Sequence, residues 1–343
     1  MKTGSEIKNV TVVGAGSWGT ALADLLAETG RPVTLWVYEE EVCAQILNDR
    51  ENKTFLPGFK LHAGVTPVRS LSAALSQAEV AVLVFPSHIY RALAGEVSQY
   101  IPEGTILVSA TKGIENETGL LPTEILEDVF PGSFYKNICV LSGPSFAREV
   151  AAKKPTAVTA AAHDKQVAKL VQEIFAGPYF RVYTSVDVIG VELGGAIKNV
   201  IAIASGMIDG MDLGSNTRAA LITRGLAEIT RLGKHLGANP MTFSGLAGIG
   251  DLVLTCTSKL SRNYSVGYEI GRGRSLTDIL SGMAMVAEGV KNTMSIKNLC
   301  RRLNIELPIC DEVYHILYEN KSPLNAVRDL MTRHPKDELE YIV

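Results

Sequence analysis

Residues 10–19 read Val-Thr-Val-Val-Gly-Ala-Gly-Ser-Trp-Gly and run directly into Thr20-Ala21-Leu22-Ala23. Four β-branched residues in a row predict a short buried strand, and the segment from Trp18 to Glu28 has the spacing of a helix. A strand that turns into a helix across Gly14, Gly16 and Gly19 opens a βαβ unit. Such a unit commits the chain to parallel strands whose connections lie as helices on the sheet.

The spacing G-x-G-x-x-G in that setting predicts a dinucleotide site. Gly14 permits a tight turn with an unusual φ. Gly16 lacks a Cβ, so a pyrophosphate can approach the backbone, and Gly19 lets the helix pack against the strand. The unpaired N–H groups and the positive end of the helix then face the phosphates. A tight turn without a ligand is the plainer alternative. The next strand, Val33–Val37, stops at Tyr38-Glu39-Glu40. A carboxylate there accepts from an adenine-ribose 2′-hydroxyl and repels a 2′-phosphate, which favours NAD over NADP. Glutamates in a first helical turn also suit the helix dipole, and for either one alone both readings stand.

The alternation continues. Strands are expected at Val80–Phe85, Thr105–Ser109, Asn137–Leu141, Ala157–Ala160 and Phe180–Tyr183, with helical patterns over Glu39–Asn48, Leu71–Gln77, His88–Gln99 and Leu120–Phe130. Beyond about residue 185 only helical patterns remain: Val186–Asp209, Asn216–Leu236, Tyr264–Gly271, Leu276–Leu280, Val290–Leu303, Pro308–Tyr318 and Pro323–Leu330. The expected organisation is an α/β dinucleotide-binding domain over 1–187 and a helical substrate or catalytic domain over 188–343. The last residues, Pro335–Val343, read as a loosely held tail.

Composition narrows the partners. The chain is 46% hydrophobic and 20% charged over 343 residues, enough for two cores. The net charge is −3 without a basic run, which argues against nucleic acid and anionic membranes. Cys43, Cys139, Cys256, Cys300 and Cys310 form no C-x-x-C pair and read as reduced thiols of a cytoplasmic protein. Met1–Lys8 lacks a signal-peptide core, and no run approaches the roughly 18 apolar residues of a span, so no membrane association is expected. The histidines are too scattered for a metal site.

Four further stretches carry chemistry. Lys112, in Ser109-Ala110-Thr111-Lys112-Gly113, follows the expected strand Thr105–Ser109, at the end where α/β ligands gather; an ordinary exposed lysine is the alternative. Ser142-Gly143-Pro144-Ser145-Phe146-Ala147 also follows a strand and allows close backbone contact, with Ser145 as a plain helix cap the alternative. In Glu192-Leu193-Gly194-Gly195-Ala196-Ile197-Lys198-Asn199, two glycines lie inside a long apolar helix at a cost of roughly 1 kcal/mol each. Something must press on that face. Lys198 and Asn199 interrupt the apolar surface, so they snorkel or face a polar cleft, where a lysine loses basicity and can act as a base. Finally, Gly248-Ile249-Gly250-Asp251 precedes Ser261-Arg262-Asn263. A guanidinium, two neutral donors and a helix N-terminus suit a phosphate, while Asp251 and Ser261 are also natural N-caps.

Taken in order, GAGSWGTA, SATKG, SGPSFAREV, ELGGAIKNVIAIASG, GLAGIGDLVLTCTSKLSRN and VAEGV resemble the NAD(P)-dependent sn-glycerol-3-phosphate dehydrogenases over roughly residues 9–335. The resemblance implies a Rossmann-type doubly wound sheet domain followed by an all-helical domain like that of 6-phosphogluconate dehydrogenase, usually in a homodimer. It implies cofactor contacts at Gly14, Gly16, Ser17, Trp18, Gly19, Tyr38, Lys112, Ala147, Arg262, Val286 and Glu288. It implies substrate contacts at Lys112, Gly143, Ser145, Lys198, Asp251, Ser261, Arg262 and Asn263. Lys198 matches the proton acceptor, and Asp251 either orients it or binds substrate hydroxyls. The implied reaction interconverts glycerol 3-phosphate and dihydroxyacetone phosphate and supplies phospholipid synthesis. Many bacterial members carry an arginine where this chain has Tyr38, so the expectation is NAD, with NADP tolerated. A related β-hydroxyacid or 6-phosphogluconate dehydrogenase explains the glycine loop but not Ser261-Arg262-Asn263 together with GIGD. A dinucleotide-binding redox sensor does not explain Lys112, Lys198, Asp251 and Arg262 as a set.

Overall fold

The computed structural model describes residues 3–283, 287–335, 337 and 338. The chain divides into two compact units: Met1–Thr111 with Pro122–Val188, and Lys112–Leu121 with Ile189–Val343. Val286 and most of the Pro335–Val343 tail lie outside the described residues.

The first unit is built on an eight-stranded sheet. Its strands are β1 (Val10–Val13), β2 (Val33–Trp36), β3 (Val65–Val68), β4 (Val80–Leu83), β5 (Ile106–Ser109), β6 (Ile138–Ser142), β7 (Thr156–Ala162) and β8 (Phe180–Ser185). They lie in the order β3-β2-β1-β4-β5-β6-β7-β8. Val13 pairs with Trp36 on one side and Leu83 on the other, so β1 is the strand at which the winding reverses. Ligands of doubly wound sheets bind outside the carboxyl end of such a strand. β1, β4 and β5 are buried at every position, as expected for strands covered on both faces.

Three features differ from the expected pattern. β3 was not anticipated: its four residues include Pro67, which only an edge strand tolerates. The sheet is not wholly parallel, because β7 runs antiparallel to β6 with Cys139 opposite Ala162. The helix Lys165–Phe175 was also unanticipated. Asp164 caps it by accepting from Gln166 N–H at 2.8 Å, and Val167, Leu170, Val171 and Ile174 line its buried face. It is the crossover that makes β8 parallel to β7.

The second unit is helical. The helix Val188–Gly210 is its axis, and with Gly214–His235, Asp251–Thr257, Arg262–Gly271, Leu276–Ser281, Glu288–Leu303, Pro308–Glu319 and Pro323–Met331 it encloses a second core. A Cβ on Gly267 would stand 1.9 Å from the Ile203 carbonyl oxygen, and one on Gly206 would stand 2.0 Å from that of Tyr264. The helices Val188–Gly210 and Arg262–Gly271 therefore cross backbone against backbone. The pressure expected on Gly194 is present too: its Cβ would lie 2.3 Å from the Ala247 carbonyl oxygen.

Val188–Gly210 is long and apolar enough to cross a membrane, contrary to the sequence reading, since its few polar residues are diluted over 23 positions. Within the unit, 94% of its most apolar stretch is buried. Elsewhere, Pro308 opens the helix Pro308–Glu319, and the buried Glu228 carboxylate accepts the N–H groups of Ile309 at 2.6 Å and Cys310 at 3.2 Å. It satisfies donors that a helix start leaves open.

Candidate active site

In the first unit, each glycine of the loop after β1 has a distinct reason to be there. Gly14 sits at φ +115°, and a Cβ on it would be 2.3 Å from the Val84 carbonyl oxygen. A Cβ on Gly19 would be 1.9 Å from the Gly14 carbonyl oxygen. At Gly16 a Cβ would meet nothing within 4 Å. Two of the glycines are thus required by the fold, and Gly16 is not. It is the N-cap of the helix Ser17–Glu28, and no side chain caps that end. Uncapped N–H groups beside open space form an anion-binding cradle. The Ser17 hydroxyl donates to the Phe55 carbonyl at 2.6 Å. Trp18 is partly buried against the first core.

At the end of β2, Tyr38 is 72% exposed and its ring centroid lies 6.1 Å from that of Trp36. Glu39 takes the N-cap position of the helix Glu40–Asp49, but its side chain accepts no backbone hydrogen bond there. Glu40 reaches Arg69 at 3.8 Å, both exposed. After β6, Gly143 is at φ +149°, and the Ser145 hydroxyl donates to the Gly143 carbonyl at 3.1 Å. Ser145 is not a helix cap: Phe146 holds that position before Ala147–Ala151.

The second unit assembles a charged centre in an otherwise apolar interior. Asp251 is 1% exposed. Its Oδ1 accepts from Lys198 Nζ at 2.7 Å and its Oδ2 from Lys112 Nζ at 2.5 Å. Lys198 is 6% exposed and also donates to Thr255 Oγ1 at 2.7 Å. The Thr255 hydroxyl in turn donates to the Asp251 carbonyl at 2.6 Å, so toward Lys198 it is an acceptor. Burial pulls the Lys198 ammonium down to about 8; Asp251 works against that pull and Lys112 adds to it. For Asp251, burial raises the carboxyl, but the two ammonium groups outweigh it and hold it below the usual carboxylate range. The result is a lysine held less basic than usual, with its ammonium directed by the Asp251 carboxylate.

Of the expected residues, Lys112, Lys198 and Asp251 thus meet directly. Asp251 opens its helix but is not an N-cap in the sense anticipated, because the lysines occupy its carboxylate. Ser261 is a cap: its hydroxyl accepts from Tyr264 N–H at 3.2 Å. Arg262 stands exposed at the first position of the helix. Asn263 is drawn into bracing: it donates to Asn199 Oδ1 at 2.9 Å and accepts from Gly289 N–H at 2.9 Å. Glu288 opens the helix Glu288–Leu303. Thr255 was missed; the available signal was its i+4 spacing from Asp251, which puts both on one helix face.

Comparison with known proteins adds an independent line. Residues 9–168 match the N-terminal model of NAD-dependent glycerol-3-phosphate dehydrogenase, and residues 187–328 match the C-terminal model. A glycerol-3-phosphate dehydrogenase of NAD(P)+ type from a Geobacter species is 54% identical over 331 residues, covering 96% of this chain and 99% of that protein. The solved glycerol-3-phosphate dehydrogenase of Coxiella burnetii is 38% identical with a TM-score of 0.90, covering 95% of this chain and 99% of that one. The enzyme of Saccharomyces cerevisiae is 26% identical with a TM-score of 0.82, covering 95% and 100%.

Proposed function

This chain belongs to the NAD-dependent glycerol-3-phosphate dehydrogenase family, and on that premise we propose that it interconverts sn-glycerol 3-phosphate and dihydroxyacetone phosphate with Lys198 as the proton-moving group. The observation that carries this reading is the buried Lys198–Asp251–Lys112 arrangement.

The loop after β1 fits a dinucleotide, since the space in front of Gly16 is open where a Cβ would stand. The cofactor contacts that the family resemblance implies, at Gly14, Gly16, Ser17, Trp18, Gly19, Tyr38, Lys112, Ala147, Arg262, Val286 and Glu288, belong to this proposal. When bound, the nicotinamide supplies the hydride acceptor or donor for the substrate's C2.

The remaining work belongs to the chain. Neutral Lys198 accepts the C2 hydroxyl proton during oxidation, and its ammonium returns that proton to the ketone oxygen during reduction. Asp251 and Thr255 take two of the directions around Lys198 Nζ, which leaves the third for the substrate oxygen. This favours an orienting role for Asp251. Arg262, beside the cap Ser261 at a helix start, suits the substrate phosphate. Asn263, Gly143 and Ser145 complete the proposed substrate contacts.

The product would feed phospholipid synthesis. We place the enzyme in the cytoplasm as a homodimer without integral membrane association; its five free, buried cysteines and its buried apolar helix support that placement. The decisive experiment follows NADH absorbance on addition of dihydroxyacetone phosphate. Substrate-dependent oxidation is expected. Cofactor binding without turnover would point to a sensor instead.

A further inference from the structure

Lys112 reaches Asp251 from a loop with an unusual attachment. The segment Lys112–Leu121 belongs to the helical unit, although strands of the first unit flank it in sequence. The loop is closed on itself: Glu115 N–H donates to the Leu120 carbonyl and Gly119 N–H to the Glu115 carbonyl, both at 2.9 Å. Ile114 and Leu121, 3% and 2% exposed, are buried in the same core as Leu299 and Cys300. The loop's tip lies on the helix Glu288–Leu303. Asn298 Nδ2 approaches Asn116 Oδ1 at 3.4 Å, and Arg302 Nη1 approaches the Glu117 carbonyl at 3.5 Å. Gly119, at φ +75°, passes so near that a Cβ would stand 2.0 Å from Arg302 Nη2.

A lysine side chain loses more rotamer freedom than most when it is fixed. That cost must be met for Lys112 to stay on Asp251. Two buried apolar anchors that immobilise its backbone reduce what the side chain alone must offset.

We propose that the loop Lys112–Leu121 is a clasp, and that Ile114, Leu121 and Arg302 are positioning residues that hold the Lys112 ammonium on Asp251. The proposal rests on the reading of Lys198 as the proton acceptor. The charged and titratable groups acting on Lys198 are Asp251 and Cys256 from the helix Asp251–Thr257 and Lys112 from the clasp. Of these, Lys112 is the one the clasp controls. Loosening the clasp withdraws a positive charge from the neighbourhood of Lys198, so the amine becomes more basic and needs a higher pH to accept a proton.

The test is the pH profile of kcat/KM for glycerol 3-phosphate oxidation in the full-length protein. Lys112→Met sets the reference, with the acid limb moving up by about 1 pH unit. Ile114→Ala and Arg302→Ala are expected to move it in the same direction, and Ile114→Ala on the Lys112→Met background to add nothing. A purely structural role would lower thermal stability with the limb unmoved, and that result overturns the clasp. Arg302 is at the surface, so its variant keeps the test available should Ile114→Ala fail to fold. If Lys112→Met itself leaves the limb in place, the clasp falls, whereas the Lys198 reading falls only if Lys198→Ala keeps near-normal turnover.

Discussion

Lys198 and Asp251 meet at 2.7 Å inside the second unit, both of them buried. A buried pair of this kind is weak evidence for stability, because desolvation offsets the attraction. In the proposed mechanism the pair serves proton transfer rather than stability. Lys198→Ala should lower turnover by roughly 10²–10⁴-fold, the usual share of a general acid–base group. Near-normal turnover in a folded variant would remove Lys198 from the mechanism.

The same geometry sets the pH dependence. With Lys198 pulled down to about 8, kcat/KM for oxidation should rise through that pH as the amine loses its proton. The Asp251 charge raises the lysine, so Asp251→Asn should move the limb to lower pH as well as slow the reaction. A limb moving the other way would contradict the orientation argued here.

The glycine loop separates folding from binding. Gly16→Ala meets no protein atom, so its melting temperature should stay within a few degrees while NADH affinity falls by about tenfold or more, the loss of roughly one good contact. Gly19→Ala drives a Cβ into the Gly14 carbonyl and should yield little folded protein. Calorimetry of both variants, with and without NADH, checks the pair; equal melting losses would mean Gly16 is structural after all.

Cofactor choice turns on Tyr38 and the two exposed glutamates. NADH should exceed NADPH in kcat/KM with dihydroxyacetone phosphate, with NADPH still used. Tyr38→Arg should raise the NADPH value by about tenfold, the worth of one charge-assisted hydrogen bond. A wild-type preference for NADPH would dispose of this reading.

Glu228 should tie stability to pH. Burial pushes its carboxyl from 4.5 up to about 7, against the pull of the Ile309 and Cys310 N–H groups. An acid raised on folding contributes stability fully present below pH 4.5 and lost as pH climbs through 7. The loss should be on the order of 3 kcal/mol, and Glu228→Gln should flatten it. Denaturant unfolding at pH 5 and pH 8 measures the difference; parallel behaviour of the two proteins would show Glu228 to be ionised throughout.

What could be seen beforehand depended on how local each signal was. β1 and the glycine loop are contiguous, and their residues carry their own steric reasons. Lys198 stood out because a charge inside an apolar helix is expensive wherever it lies. Its surroundings were hidden: Lys112 and Asp251 are 139 residues apart, and nothing in a single sequence pairs them. Strand direction was hidden as well, since an apolar run reads the same whichever way β7 points. The hydrogen bonds of Asn263 to Asn199 and Gly289 were hidden too, since each joins residues far apart in the sequence.

The backbone crossing at Gly206 and Gly267 also bears on how the protein is made. The helix Val188–Gly210 leaves the ribosome before the helix that covers its glycine face, Arg262–Gly271, which follows roughly fifty residues later. At about 5–20 residues per second, the nascent helix waits several seconds with a span-like surface uncovered. Substitutions that delay Arg262–Gly271 from docking should reduce the yield of protein before they alter any property of the finished enzyme.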